Sequence, residues 1–277
     1  MSDTSLAVAG NDDDDSAERR IRRCAAVWRW ALGAGIIVAW EVLARLKVID
    51  PYYFSSPTTI VSTAYVAATQ GTLFADIAYT SASTIVGFIV GVAGGALIGL
   101  STWWSSVYGR VSEPYLVTFN AIPKLALAPI LIILFGIGFE SKVALAVALT
   151  IVPAAMAAYG GVKSVDKDLE TLLFSLGASR FQVFAKVVVP WAMPWIVSSL
   201  RVNIGLALAG AIVGEFIASQ SGVGRMILYA GQVMDINLVW VGVVVLSILA
   251  LVMYAAVMTA ERYLLKGMLH GSQLSTQ

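Results

Sequence analysis

Residues 82–103 read ASTIVGFIVGVAGGALIGLSTW, and no charged side chain lies between Asp76 and Arg110. About 20 mostly apolar residues of helix are enough to cross the hydrocarbon core of a bilayer. Within this stretch Ser83, Gly87, Gly91, Gly95 and Gly99 recur every four residues. Positions four apart lie close to one helix face, so the segment presents a ridge almost without side chains, against which another helix can approach closely. Such a ridge serves static helix packing or a moving, subunit-facing seam.

The rest of the chain follows this stretch. Of 277 residues, 58% are hydrophobic and 13% charged, about half the ~25% charged share of a soluble domain. Residues 1–23 hold ten of the 35 charged residues, which leaves 25 for the other 254 positions. So few cannot cover a water-facing surface. These numbers exclude an ordinary soluble enzyme, a disordered chain and a nucleic-acid binder, and they leave an all-α polytopic membrane protein with the lipid bilayer as its solvent. A net charge of +1 offers nucleic acid no surface of one sign. Cys24 is the single cysteine, and His270, the single histidine, lies in the C-terminal tail. An intrachain disulfide, a multi-cysteine metal site, zinc chemistry and a Ser-His-Asp triad are therefore excluded by inventory.

Six spans are predicted, at 26–43, 82–103, 115–137, 143–159, 195–217 and 239–260. Residues 51–76 are mixed in polarity and are expected to hold a short interfacial helix after the Ser56-Pro57 turn. Pro123, Pro129 and Pro153 are expected to kink their helices. Residues 1–23, with the run Asp12 to Asp15 followed by Arg19, Arg20, Arg22 and Arg23, read as a disordered tail ending in an arginine anchor. The acidic lead-in and the interruption by Trp28, Arg29 and Trp30 argue against a signal peptide. The first span then belongs to residues 24–50, a core to 51–262, and a C-terminal tail to 263–277. With the N-terminus inside, twelve Lys and Arg fall in inside segments against four (Arg45, Lys47, Lys142, Arg225) outside. That asymmetry places both termini and the polar stretch 161–190 in the cytoplasm.

Charges inside spans are costly and point to function or to a partner. Arg201 and Glu215 stand 14 residues apart in the fifth span, about 21 Å at 1.5 Å per residue, and roughly on one face. With Asn203 to one side, they border a route or act as interfacial anchors. Lys124, in the third span, faces a bundle interior, an acid or a water-filled route, or snorkels beside Pro123.

Residues 171–194 read TLLFSLGASRFQVFAKVVVPWAMP. Leu172, Leu173 and Leu176 fall on one side of a first helix. Gly177 permits a sharp change of direction. A second amphipathic helix follows with Phe181, Val183, Phe184 and Val187, and with Arg180, Gln182 and Lys186 as its polar side. Pro190 is expected to stop it and to start the fifth span. An apolar elbow of this kind belongs in a partner's groove rather than in water.

The spacing Gly177, nine residues, Val187-x-Val189-Pro190 resembles the cytoplasmic-loop signature of bacterial ABC importer permeases, EAA, three residues, G, nine residues, I-x-L-P. Thr171, Leu172 and Leu173 stand in place of Glu-Ala-Ala. Residues 57–261 resemble the permeases of sulfonate, taurine and nitrate importers, through NAIPKLALAPILIILFGIG (120–138), SLGASRFQVFAKVVVPWAMPWIVSSLR (175–201), GAIVGEFIAS (210–219) and SGVGRMILYAGQVMDINLVWVGVV (221–244). The resemblance implies the type I ABC importer permease fold in the cytoplasmic membrane, paired with a second copy across a central route. It implies an ATPase subunit whose groove takes the elbow, with Gly177, Ala178, Ser179 and Arg180 at the docking turn. An extracytoplasmic binding protein would deliver a small anion such as a sulfonate, taurine or nitrate, and Lys124 and Arg201 fit an anion route. The same subfamily includes permeases for thiamine-pyrimidine heterocycles. Residues Gly160-Gly161-Val162-Lys163-Ser164 have the wrong spacing for a phosphate-binding loop, so no cofactor is expected on this chain, and ATP and Mg²⁺ belong to the partner ATPase. The contrasting class, an ion-coupled secondary transporter, would use Glu215 as its coupling carboxylate and show an inverted repeat between its halves, and no such repeat is read here.

Overall fold

The structure, a computed structural model, describes residues 4–273, with side chains for residues 24–266 other than Ala26 and Pro51. The regular structure of the described residues is helical throughout. The chain divides into two compact units at Tyr65/Val66.

The first unit is built on helix α1 (Thr4–Arg45), whose stretch Val27–Arg45 is long and apolar enough to span. Residues 4–23, read above as part of a tail, form the start of this helix. No proline precedes Pro51, so nothing removes a donor from the helical ladder, and an established helix propagates at one backbone bond per residue. After α1 come α2 (Pro51–Phe54) and α3 (Pro57–Gln70), the latter being the helix expected after Ser56-Pro57. Glu41 ties α1 to the start of α3. Its carboxylate accepts from Arg45 Nε at 2.6 Å, from the Thr58 N–H at 3.1 Å and from Thr58 Oγ1 at 2.9 Å.

The second unit centres on α7 (Phe139–Lys163), against which α4 (Leu73–Ser101) and α10 (Val189–Ile217) pack most extensively. The glycine ridge of α4 explains the first contact. A Cβ at Gly87, Gly91, Gly95 or Gly99 would collide with Ala146, Thr150, Ile151 or Ala155 of α7. On its other side α7 meets α10 as closely. A Cβ at Gly161 would lie 2.8 Å from Ala192 Cα, and one at Gly210 would lie 2.9 Å from Ala146 Cα. Between the two readings of the ridge, this is helix packing within one chain.

Three breaks differ from a chain of straight spans. Helix α4 ends in a 3₁₀ turn, Thr102–Trp104, before α5 (Ser106–Ala121). The third predicted span is not one rod. Ile122 is extended (φ −63°, ψ 133°), as a residue before proline prefers, and α5 meets the segment Lys124–Phe135 at 77°. That segment is a 3₁₀ turn, Lys124–Leu127, followed by α6 (Ala128–Phe135). Pro129 lies in the first turn of α6 rather than kinking it, because a first-turn residue needs no intrahelical N–H. Pro153 lies inside the continuous α7.

The third break concerns Pro190, which does not stop the second elbow helix. The chain leaves α8 (Lys167–Ser175), enters α9 (Arg180–Val183), and passes through a π-helical turn, Phe184–Val188, directly into α10. The Val189 N–H reaches back to the Phe184 carbonyl, and Pro190 takes its place in the first turn of α10. The extra residue of the π turn absorbs the missing donor, so helix is continuous where a stop was expected. The fold closes with α11 (Val223–Gln232) and α12 (Ile236–Gln273). Counting the bent pair as one, the described residues hold up to six spans, as predicted.

Replacing Gly95 by valine should force α4 off α7 and cost about 1–3 kcal/mol by overpacking. Valine at Gly94, where a Cβ meets the flexible end of Ile151 at 3.5 Å, should be tolerated. Thermal melting of the two variants in detergent checks this difference.

Candidate functional site

The elbow is a rigid turn built from local bonds. Gly177 adopts φ +84°, where a side chain is strained. The Gly177 N–H bonds to the Phe174 carbonyl and the Ala178 N–H to the Leu173 carbonyl, each at 3.0 Å. This pair closes α8 as a Schellman motif. Ser179 opens α9 two residues later. Its hydroxyl accepts from the Gln182 N–H at 3.3 Å, and its own N–H donates to Gln182 Oε1 at 2.8 Å, which is a complete capping box.

The predicted elbow residues separate into two faces. Leu172, Leu176 and Phe181 point outward and are 56%, 74% and 67% exposed. Leu173 is half-buried and, with Leu176, Ala178, Val183 and Lys186, lines a cavity of about 570 Å³ between the two helices. Pro190 is exposed at the start of α10.

Arg180 and Phe184 turn the other way, against the end of α4. The Arg180 guanidinium lies 5.5 Å from the Trp103 ring centroid and 5.7 Å from that of Trp104. It also donates to the Trp104 carbonyl at 2.8 Å. The Phe184 ring sits 5.6 Å and 5.5 Å from the same two rings. From α8, Glu170 accepts the Trp103 indole N–H at 3.0 Å. Neither Trp103, Trp104 nor Glu170 was predicted as a site residue. The sequence signal was the Trp pair at the end of an apolar span, where aromatic side chains gather. Glu170 lies one residue before the motif position that Thr171 occupies, and the Thr171 hydroxyl merely bonds the Lys167 carbonyl at 2.8 Å.

The four predicted route residues are not brought together. Arg201 forms a two-pronged ion pair with Glu261 of α12, at 2.5 and 3.0 Å, so its charge is neutralised within the chain. Asn203 is buried and donates to Ser199. Lys124 is partly exposed and donates to the Asn120 carbonyl at 3.0 Å and Oδ1 at 3.5 Å.

Glu215 is fully buried in a polar network. Its carboxylate accepts from Thr80 Oγ1 at 2.8 Å and from the Gly224 N–H at 2.8 Å. Thr80 Oγ1 in turn accepts from the Val223 N–H at 3.0 Å, and Asp76 accepts from the Gly222 N–H at 2.7 Å. Three successive N–H groups entering α11 are thus met by side chains of α4 and α10, the arrangement that anions favour at a helix N-terminus. Gly222 has φ +109°, and a Cβ there would run into the Glu215 carboxylate. Lys142, assigned above to an outside loop, is also fully buried. Its ammonium donates to the Ile137 carbonyl at 2.6 Å, to Ser141 Oγ at 3.3 Å and to the Ala218 carbonyl. Thr80 lies 135 residues from Glu215 and Ala218 lies 76 from Lys142, so spacing along one helix could not reveal these bonds.

An all-helical span bundle that presents a glycine elbow between its fourth and fifth spans defines a transport permease. Residues 87–270 match the family described as binding-protein-dependent transport system inner membrane component. The chain belongs to this family. It is the multi-pass inner-membrane permease subunit of an ABC importer, and it works with a separate ATPase subunit and a substrate-binding protein.

Among its relatives are the formylaminopyrimidine transport permease ThiX of Halalkalibacterium halodurans (32% identical, covering 83% of this chain and 91% of that one). The taurine permease TauC of Escherichia coli is 29% identical over 86% of this chain and 92% of that one. The aliphatic sulfonates permease SsuC of Bacillus subtilis, described as putative, is 31% identical over 85% of each chain. The fold is shared with the MetNI methionine ABC transporter in an inward-facing form, at TM-score 0.54 and 18% identity over 68% of this chain and 92% of that one.

Truncating Glu215 to alanine leaves the Gly224 N–H and the Thr80 hydroxyl buried without their acceptor, a loss of about 1–3 kcal/mol for each such group. The expected outcome is a lower melting temperature for the purified Glu215→Ala chain, with Thr80→Ala shifted in the same direction. A melting curve unchanged by either substitution would show that the network is not what holds the α10–α11 junction.

Proposed function

We propose that two copies of this chain form the membrane route of an importer for a small organic anion of the sulfonate class, and that the exposed turn of Leu172, Leu176 and Phe181 seats in a groove of the ATPase. The observation that carries the docking part is the exposure of these three large apolar side chains around a turn that is already rigid. Apolar groups held in one geometry gain most from a matching groove, because little ordering remains to oppose binding. ATP and Mg²⁺ are bound by the partner and none by this chain. Both termini and the elbow face the cytoplasm, in keeping with the Lys and Arg asymmetry.

Gly177→Asp separates docking from folding. A Cβ at Gly177 meets nothing within 4 Å in this chain, and aspartate tolerates positive φ better than most residues. The variant should therefore reach the membrane in normal amount. It should lose the ATPase on pull-down, because a carboxylate now enters the apolar groove without a partner. Leu176→Asp should do the same, and undiminished ATPase recovery with both variants would refute the docking assignment.

The substrate part rests on Lys124, whose ammonium has no carboxylate partner among the described residues, together with the taurine and sulfonate relatives. A second reading, a formylaminopyrimidine-type heterocycle, is favoured by the 32% identical relative and by the Tyr108, Tyr115 and Phe119 lining of an apolar groove beside α5. Uptake of radiolabelled taurine into cells carrying the complete importer, with unlabelled formylaminopyrimidine as competitor, distinguishes the two. On the anion reading taurine accumulates and Lys124→Gln reduces its uptake several-fold. Absence of taurine uptake with import of the pyrimidine would select the second reading.

A further inference from the structure

The elbow can pass on force only through whatever holds it to the bundle. Two connections are covalent: a three-residue link, 164–166, from α7 into α8, and the passage from α9 into α10, which runs through the π-helical turn Phe184–Val188 and then Pro190. The π turn interrupts the regular α-helical ladder and proline contributes no donor, so the α9–α10 passage is not a continuous α-helix.

The third connection is not covalent, and both halves of the elbow share it. Helix α8 reaches Trp103 through Glu170. Helix α9 reaches Trp103 and Trp104 through the Phe184 ring and the Arg180 guanidinium. Arg180 follows the capping serine directly, so it is fixed at the docking turn itself. Its planar group covers indole faces and bonds the Trp104 carbonyl at the same time, a combination that lysine cannot reproduce. The two tryptophans end α4, whose glycine ridge is interlocked with α7.

We propose that Arg180, with Trp103 and Trp104, is the clamp that makes the docked elbow and α4 move as one body. The proposal rests on the docking reading above and goes beyond it by naming the positioning residues through which movement enters the bundle. Arg180 here is not a contact with the ATPase. Although the residue is exposed, its guanidinium is engaged by Trp103 and Trp104, and the docking contacts are left to Leu172, Leu176 and Phe181.

Spin labels test the clamp without knowledge of the substrate. Cysteines replace Thr171 on α8 and Ser106 at the start of α5 in a Cys24→Ser background, and labelled copies are diluted with unlabelled ones so that only pairs within one chain report. The complex is isolated with its ATPase, and the label separation is measured without nucleotide and with ATP and vanadate. The parent should give one narrow distribution that nucleotide leaves in place. Arg180→Ala should retain the ATPase yet acquire a second separation with ATP and vanadate. Arg180→Lys should lie between them, and Trp103→Phe, which keeps a ring but loses the Glu170 bond, should show a partial effect. An Arg180→Ala distribution that superimposes on the parent under nucleotide would overturn the clamp. Loss of the ATPase from Arg180→Ala would overturn it too, by placing Arg180 on the docking face. Failure of the docking reading itself is distinct, since the parent would then capture no ATPase, and the clamp would fall with it.

Discussion

Inside a bilayer, lipid is as apolar as leucine, so helices are not driven together by escape from water. What holds the second unit is close backbone approach, and α7 receives it on two sides. The α4 ridge of Gly87, Gly91, Gly95 and Gly99 meets Ala146 to Ala158 of α7, and Gly210 and Gly214 of α10 meet Lys142 to Ala146. Many small dispersion contacts accumulate where no side chain keeps the axes apart. The positions of α4 and α10 are thereby fixed relative to each other through α7, and the Glu215 network, the Arg201–Glu261 pair and the elbow's anchorage are hung on that trio.

The two ends of α4 illustrate this. Its 29 residues extend about 43 Å at 1.5 Å per residue. One end carries Asp76 and Thr80, which receive the backbone of the α10–α11 junction. The other end passes into Trp103 and Trp104, which receive the elbow. Buried carboxylates are stable in such a place only when donors surround them, and the Gly222 and Gly224 N–H groups donate to Asp76 and Glu215 without side chains of their own to keep the carboxylates away.

Features set by spacing along one helix were readable in the sequence. The four-residue glycine repeat foretold a face of close helix approach, though not that α7 would fill it, and the elbow's halves lay where Gly177 divided the pattern. Features set by contact across the fold were not. Arg201 meets Glu261 and Glu215 meets Thr80 across 60 and 135 residues, so each charge looked solitary and was read as bordering a route or as an interfacial anchor. Lys142 looked like a loop cation because its partners are carbonyls, which every residue has. Pro123 announced a disturbance, but whether a proline bends or breaks a span depends on its neighbours. Here the extended Ile122 and the 3₁₀ turn that follows make it a 77° corner.

The elbow shows how one residue of register changes a role. Successive helix positions are rotated by about 100°, so an acid at 170 faces elsewhere than an acid at 171. Thr171 is exposed. Glu170 is half-buried and satisfied by Trp103. Glu170 therefore serves the chain's own attachment to α4, and Leu172, Leu176 and Phe181 stand exposed at the turn. A charge on that face would have to be desolvated when a groove closes over it, whereas an apolar turn gains from the same closure. Moving the carboxylate inward strengthens the anchorage and removes a desolvation cost from docking, and the two effects follow from a single step along the helix.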